Sequence, residues 1–200
     1  MALKSTSRKL GELGPVCVLD DPGSSRAYVG DADLAAGREF DLLRGDWVPS
    51  DPVVVRWEMG SKSPGDVVWT TLVVPVVVGP RFLAVLRRGG FTGWSTYPVV
   101  VHDKAGAVVD GYVGLAVTGR CGGIDDTRSV QVMREYPGGA FPVHQGLFFN
   151  EEEWDGTDVF CAAGRTGWVF VTSEVVKALR DAKIGNLSLR PAVQVERSVL

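Results

Sequence analysis

One local pattern occurs twice in this chain, 93 residues apart, and it constrains the fold more than any other feature. The clearer copy runs from Val169 to Gln194. Val169-Phe170-Val171 is a β-favouring run. Thr172 can cap a following helix with its hydroxyl. Glu174 places negative charge in the first turn, and Lys177, Arg180 and Lys183 place positive charge towards the end, as the helix dipole favours. Val175, Val176 and Leu179 make one apolar stripe. Gly185-Asn186 can stop the helix in left-handed backbone. Leu187 to Val195 is then extended, with Pro191 near a sheet edge or a bend. The pattern predicts strand, helix, strand.

The first copy runs from Val76 to Val101. Seven of the 26 aligned positions are identical: Val76/Val169, Val78/Val171, Leu86/Leu179, Arg87/Arg180, Ser95/Ser188, Pro98/Pro191 and Val100/Val193. The physics repeats more fully than the letters. Phe82, Leu83 and Leu86 replace Val175, Val176 and Leu179. Gly79-Pro80 opens the helix, with Pro where its missing N–H costs nothing. Arg87 and Arg88 charge the last turn, and Gly89-Gly90 ends it. Upstream, Asp66-Val67 matches Asp158-Val159 at an offset of 92, one residue out of step. The expected fold is α+β, a mixed β-sheet with few short helices and two copies of the strand–helix–strand unit. It is read as one domain of two related halves, about 15–105 and 106–200.

Between and before the copies, strands predominate. Residues 1–14 read as a polar lead-in. Val16 to Leu19 is a short strand stopped by Asp20-Asp21-Pro22-Gly23. Asp31 to Arg44 is read as a helix capped by Asp31 and ended by Gly45. Val53 to Glu58 alternates as a half-buried strand with Val53, Val55 and Trp57 inward. Val67 to Val78 is β-rich and broken by Pro75. His102 to Gly106 is a turn and Tyr112 to Val117 a strand. Thr118 to Asp126 is read as a glycine-rich connection. Val130 to Met133 and Val143 to Phe149 are strands around Pro137-Gly138-Gly139, and Glu151 to Gly156 is an acidic loop leading into Asp158 to Cys161.

Composition narrows the function. A net charge of −3 lacks the concentrated basic surface of a nucleic-acid binder. Cys17, Cys121 and Cys161 are far apart and form no C-x-x-C, which indicates neither a disulfide scaffold nor a zinc ribbon. No apolar stretch follows the charged first ten residues, and the longest apolar run, Leu72 to Val78, is far short of a membrane span, so a cytoplasmic protein without cofactor or metal is expected.

Four stretches invite a chemical reading. Gly119-Arg120-Cys121-Gly122-Gly123 has neither phosphate-loop pattern and reads as a tight turn or bulge. A nucleophile set of Cys121 with His102 or His144 has no supporting spacing, and a single Cys is more often a small core residue. Asp125-Asp126 and Asp155-Gly156-Thr157-Asp158 do not continue into a calcium loop and suit turn chemistry. Glu151-Glu152-Glu153-Trp154-Asp155 is the densest charge run, either a solvated loop or an acidic patch with an aromatic anchor.

Three stretches carry a family resemblance: Trp154-Asp155-Gly156-Thr157-Asp158-Val159-Phe160, Val169-Phe170-Val171-Thr172-Ser173-Glu174-Val175, and Ala182-Lys183-Ile184-Gly185-Asn186-Leu187. With Tyr112 to Val117, Ile124-Asp125 and Ser129, they resemble bacterial immunity proteins of polymorphic toxin systems, in particular immunity families eleven and forty-three of the myxobacterial type. The likeness covers the C-terminal half best. It implies a non-enzymatic protein that binds and blocks a cognate toxin, and it brings no catalytic residue. The expected contact is Glu151, Glu152, Glu153, Trp154 and Asp155, facing a basic, nuclease-like toxin. The rival expectations are a small hydrolase or transferase using Cys121 or a histidine, and a regulatory interaction module.

Overall fold

The computed structural model describes residues 13–34, 37–71, 76–164 and 167–198. The first eight strands are β1 (Val16–Asp20), β2 (Val29–Asp33), β3 (Val53–Met59), β4 (Val67–Thr70), β5 (Val77–Val78), β6 (Trp94–His102), β7 (Val108–Val109) and β8 (Val113–Val117). Seven follow: β9 (Gly119–Gly123), β10 (Val130–Tyr136), β11 (Gly139–Gln145), β12 (Val159–Ala163), β13 (Val169–Thr172), β14 (Ser188–Pro191) and β15 (Glu196–Ser198). The α-helices are α1 (Glu39–Arg44), α2 (Pro80–Gly89) and α3 (Ser173–Asp181). The fold is α+β, as expected.

The first unit is a closed barrel of six strands, β3-β2-β4-β5-β8-β6, completed by parallel pairing of β3 with β6. The second is a five-stranded sheet in the order β14-β1-β13-β12-β9. A third, small sheet joins β10, β11 and β15.

Both sequence copies form strand, helix, strand, and the strand pairing repeats with them. In the first copy β5 and β6 run parallel, with β8 antiparallel between them. In the second β13 and β14 run parallel, with β1 antiparallel between them. The register repeats too. Val67 pairs with Val78 as Val159 pairs with Val171. Pro98 pairs with Val113 as Pro191 pairs with Cys17. Val29 pairs in parallel with Trp69 as Arg120 does with Cys161. Five strands, β2-β4-β5-β8-β6, thus match β9-β12-β13-β1-β14 in order and direction. The intervening strands do not follow a division at residue 105. β8 comes after it and lies in the first sheet, while β1 comes before it and lies in the second.

The two copies also hold each other reciprocally. The Asp66 carboxylate accepts the Gly185 N–H at 2.8 Å, and the Asp158 carboxylate accepts the Thr92 N–H at 3.0 Å. These partners are repeat counterparts, so each copy's Asp holds the loop after the other copy's helix. A two-fold relation produces such exchanged pairs. The Asp66 and Asp158 carbonyls also accept the N–H groups of Gly79 and Thr172, at 2.8 and 3.0 Å, where the two helices start.

Burial follows from the alternation of strand side chains. Val67, Val78, Val159 and Val171 face one shared core with Phe82, Leu83 and Leu86 of α2 and Val175, Val176 and Leu179 of α3. The opposite faces serve separate cores. Val68 and Val77 enter the barrel with Val53, Val55 and Tyr97. Phe160 and Phe170 pack with Val18, Phe149 and Trp154. Both helices rest on the shared core and touch each other.

Four sequence expectations are corrected. The helix over Asp31–Arg44 is instead the end of β2 followed by the six-residue α1. Sheet pairing overrides weak local propensity there, and Gly30 is needed because a Cβ would stand 2.4 Å from Val55 Cγ1. Gly119–Gly123 is a strand, and its glycines serve close packing: a Cβ on Gly119 would lie 2.0 Å from Thr157 Oγ1. The Thr172 hydroxyl makes no cap and instead donates to Asp158 at 3.4 Å. After α3, left-handed backbone falls on Lys183 (φ 51°) and Asn186 (φ 56°) and not on Gly185. Pro75 and residues 1–12 of the lead-in lie outside the described residues.

Candidate partner-binding face

The acidic run forms a short 3-10 turn, Glu151–Glu153, built by Asn150. Its side-chain oxygen accepts the Glu152 N–H at 3.2 Å, and its amide donates to Glu153 at 2.8 Å. Such capping satisfies donors that a turn of this length leaves free. Glu152 and Glu153 are exposed and Glu151 is half-buried. Among the described residues none of the three is in an ion pair.

The other two predicted contact residues build the scaffold beneath. Trp154 is 1% exposed, which corrects its reading as an outward anchor. Its ring packs 6.3 Å from Phe160, and its indole N–H donates to the Thr157 carbonyl at 3.0 Å. An inward Trp buries its large apolar face and still satisfies its one donor. Asp155 accepts the Arg120 N–H of β9 at 2.7 Å and the Thr157 hydroxyl at 2.6 Å. Its carboxylate therefore ties the turn to the sheet.

Sequence reasoning located β10 but not its exposure, and it placed the second strand at Val143 to Phe149 where β11 is Gly139–Gln145. Of the eight exposed large apolar side chains among the described residues, four stand on this hairpin: Val130, Met133, Tyr136 and Phe141. Tyr136 and Phe141 pair near its tip with ring centroids 6.2 Å apart. Among the described residues β10 pairs with β11 alone, which leaves its other edge unpaired, while Arg134 donates to Glu196 of β15 and braces the hairpin. A signal was present in Val130 to Tyr136, where apolar and charged residues share both faces and leave neither as a clean core face.

The candidate chemical groups are separate. Cys121, on β9, is buried and donates to the Asn150 carbonyl at 3.4 Å. Burial pushes its thiol up to about 11, and the carboxylates of Glu151, Asp155 and Glu153 add to the rise. His102 uses Nδ1 on the Gly106 carbonyl at 3.0 Å in the β6–β7 turn. His144 Nδ1 lies 3.2 Å from Ser129 Oγ, whose hydroxyl donates to the Asp126 carbonyl at 2.6 Å. No hydrogen bond joins Cys121 to either histidine among the described residues. Asp125 accepts the Thr127 N–H and hydroxyl, at 3.0 and 2.6 Å, which holds its carboxyl below the usual range. This is turn chemistry, as at Asp155. Among the described residues no group of three or more His, Cys, Asp or Glu could hold a metal ion, and no helix is long and apolar enough to cross a membrane.

The geometry is that of a face: an acidic turn fixed from below, and a braced hairpin whose apolar side chains are exposed among the described residues. No protein-family profile matches the chain, and no curated protein matches it.

Proposed function

We propose that this is a non-enzymatic immunity-type protein, which acts in the bacterial cytoplasm by binding a cognate toxin and covering its active site or substrate groove. The observation that carries the reading is the β10–β11 hairpin, where Val130, Tyr136 and Phe141 stand exposed on one face and Met133 on the other. Apolar side chains gathered on a surface mark interaction sites more often than isolated ones do. Tyr and Met are also among the residue types enriched at interfaces. The acidic turn adds a negative field suited to a basic, nuclease-like partner. The family resemblance supports the same reading, and of its motifs the turn and β12 lie under this face. A standard interface of about 1,600 Å² would suffice for occlusion.

Co-expression with the product of the neighbouring gene tests the reading. Growth rescue is expected, and it should persist when Cys121→Ala, His102→Gln and His144→Gln are combined. A folded wild-type chain that gives no rescue and no complex would overturn it. Loss of rescue in a normally folded triple variant would move the function to catalysis.

A further inference from the structure

A cavity of about 250 Å³ opens where the two ends of the hairpin meet the body. Its walls include Leu13, Pro15, Leu147, Phe148, Phe149 and Val193. Arg128, two residues before β10, and Glu151, from the acidic turn, complete the lining. The cavity therefore links the hairpin to the turn. Apart from Arg128 and Glu151 its lining side chains are apolar, and Val193 stands 57% exposed at it.

We propose that this cavity is a socket for one apolar side chain of a basic protein partner. The inference rests on the binding-protein reading above and adds the chemistry of the contact. Charge decides the partner's sign. The Arg128 guanidinium is already engaged, 4.9 Å over the Phe148 ring and donating to the Phe149 carbonyl at 3.4 Å. The three carboxylates of Glu151, Glu152 and Glu153 face no cation in an ion pair among the described residues. Arg128 keeps its charge in these contacts, but it is one cation against three carboxylates, so an anchor flanked by Lys or Arg is favoured over one flanked by Asp or Glu. An apolar side chain that fills a desolvated pocket, ringed by polar contacts, is the usual form of a binding hot spot.

Methyl NMR of the full chain, following Leu147 and Val193, tests the socket with two peptide probes. One is Lys-Arg-Trp-Arg-Lys and the other Glu-Glu-Trp-Glu-Glu. The basic peptide should give saturable shifts, and the acidic one should bind at least about tenfold more weakly. Combined Glu151→Lys, Glu152→Lys and Glu153→Lys should reverse that order. Val193→Asp, at an exposed position, should weaken the basic peptide by about tenfold or more without loss of folding. Three results would overturn the proposal: no saturable shift, shifts indifferent to all these substitutions, or a self-association abolished by Val193→Asp, which would assign the face to a second copy. The peptide experiment needs no toxin. Failed growth rescue with intact peptide binding would therefore remove the immunity reading and leave the socket.

Discussion

Leu86 and Leu179 are counterparts in the two copies, and truncating them should have unequal effects. Both are 1% exposed and both belong to the shared core. Leu→Ala at such a site costs about 2–5 kcal/mol, the exact value depending on how far the surroundings can close the gap. The surroundings differ. A cavity of about 140 Å³ already borders Leu179, lined by Ile184, Leu187 and Leu189. In the first copy the positions of Ile184 and Leu187 are held by Phe91 and Trp94, whose larger rings pack against the same core. Trp94 is pinned there by its indole N–H, which donates to the Phe91 carbonyl at 2.8 Å. Around Leu179, solvent and smaller side chains can move into the vacated space. Around Leu86, a fixed aromatic wall leaves a void. Leu179→Ala should therefore cost about 2–3 kcal/mol and Leu86→Ala about 4–5 kcal/mol. For a chain of this size that corresponds to melting-point losses of about 4–12 °C and about 8–20 °C. Urea unfolding of both variants, with unchanged m-values, measures the difference. Equal costs, or a larger cost at Leu179, would refute the argument from the cavity. A cost below about 1 kcal/mol at either site would refute the burial itself.

The left-handed residues after α3 supply a second test. Lys183 stands where the first copy has Gly90 (φ 65°), so Lys183→Gly should stabilise by about 0.5 kcal/mol as measured by urea unfolding. Asn186 stands where the first copy has Gly93, but its amide donates to the Val67 carbonyl at 2.7 Å, so Asn186→Gly should destabilise by about 1 kcal/mol. Combined Glu151→Lys, Glu152→Lys and Glu153→Lys should leave the melting temperature nearly unchanged and slow association with the proposed toxin partner, with a deficit that shrinks as salt is raised; binding kinetics equal to wild type at low salt would exclude the turn from the interface. Burial raises the thiols of Cys121 and Cys161 to about 11 from an ordinary value of 9.0. The folded state thus favours the protonated thiol, a contribution fully present below about pH 9 and lost as pH rises towards about 11. Stability should fall across that window, and native-state labelling by a disulfide reagent at pH 8 should be far slower than in urea; equal rates would contradict the burial.

What the sequence disclosed was local. Pro80 at a helix start, Gly90 at a helix end and two apolar stripes act within a few residues of chain, so they can be read without knowing what lies opposite. β2 could not be read this way. Gly30-Asp31-Ala32 has little strand propensity, and it is extended because β3 and β4 supply its partners. Trp154 posed the opposite difficulty. An amphipathic ring suits both a surface and a core, and only the packing of Phe160 and the Thr157 carbonyl decides between them. The hairpin's exposure was hidden for a related reason, since an apolar strand looks the same whether or not another element covers it.

The least legible feature is which strand completes each copy. In the first, the chain continues from β6 and supplies β8 from downstream. The counterpart of β8 in the second copy would follow β14, yet β1, from near the start of the chain, takes that place. Cys17 and Val113 differ in type and in both adjacent residues, and nothing in a 93-residue offset connects them. Their equivalence rests on register alone: each pairs with the matched proline of its own copy, Pro191 or Pro98. β1 also separates two parallel strands, so without it β13 would present an open edge and β14 would lose its partner among the described residues. The second sheet therefore cannot be assembled from the second copy's own sequence. The two halves form one folding problem, joined by β1 as well as by the exchanged contacts of Asp66 and Asp158.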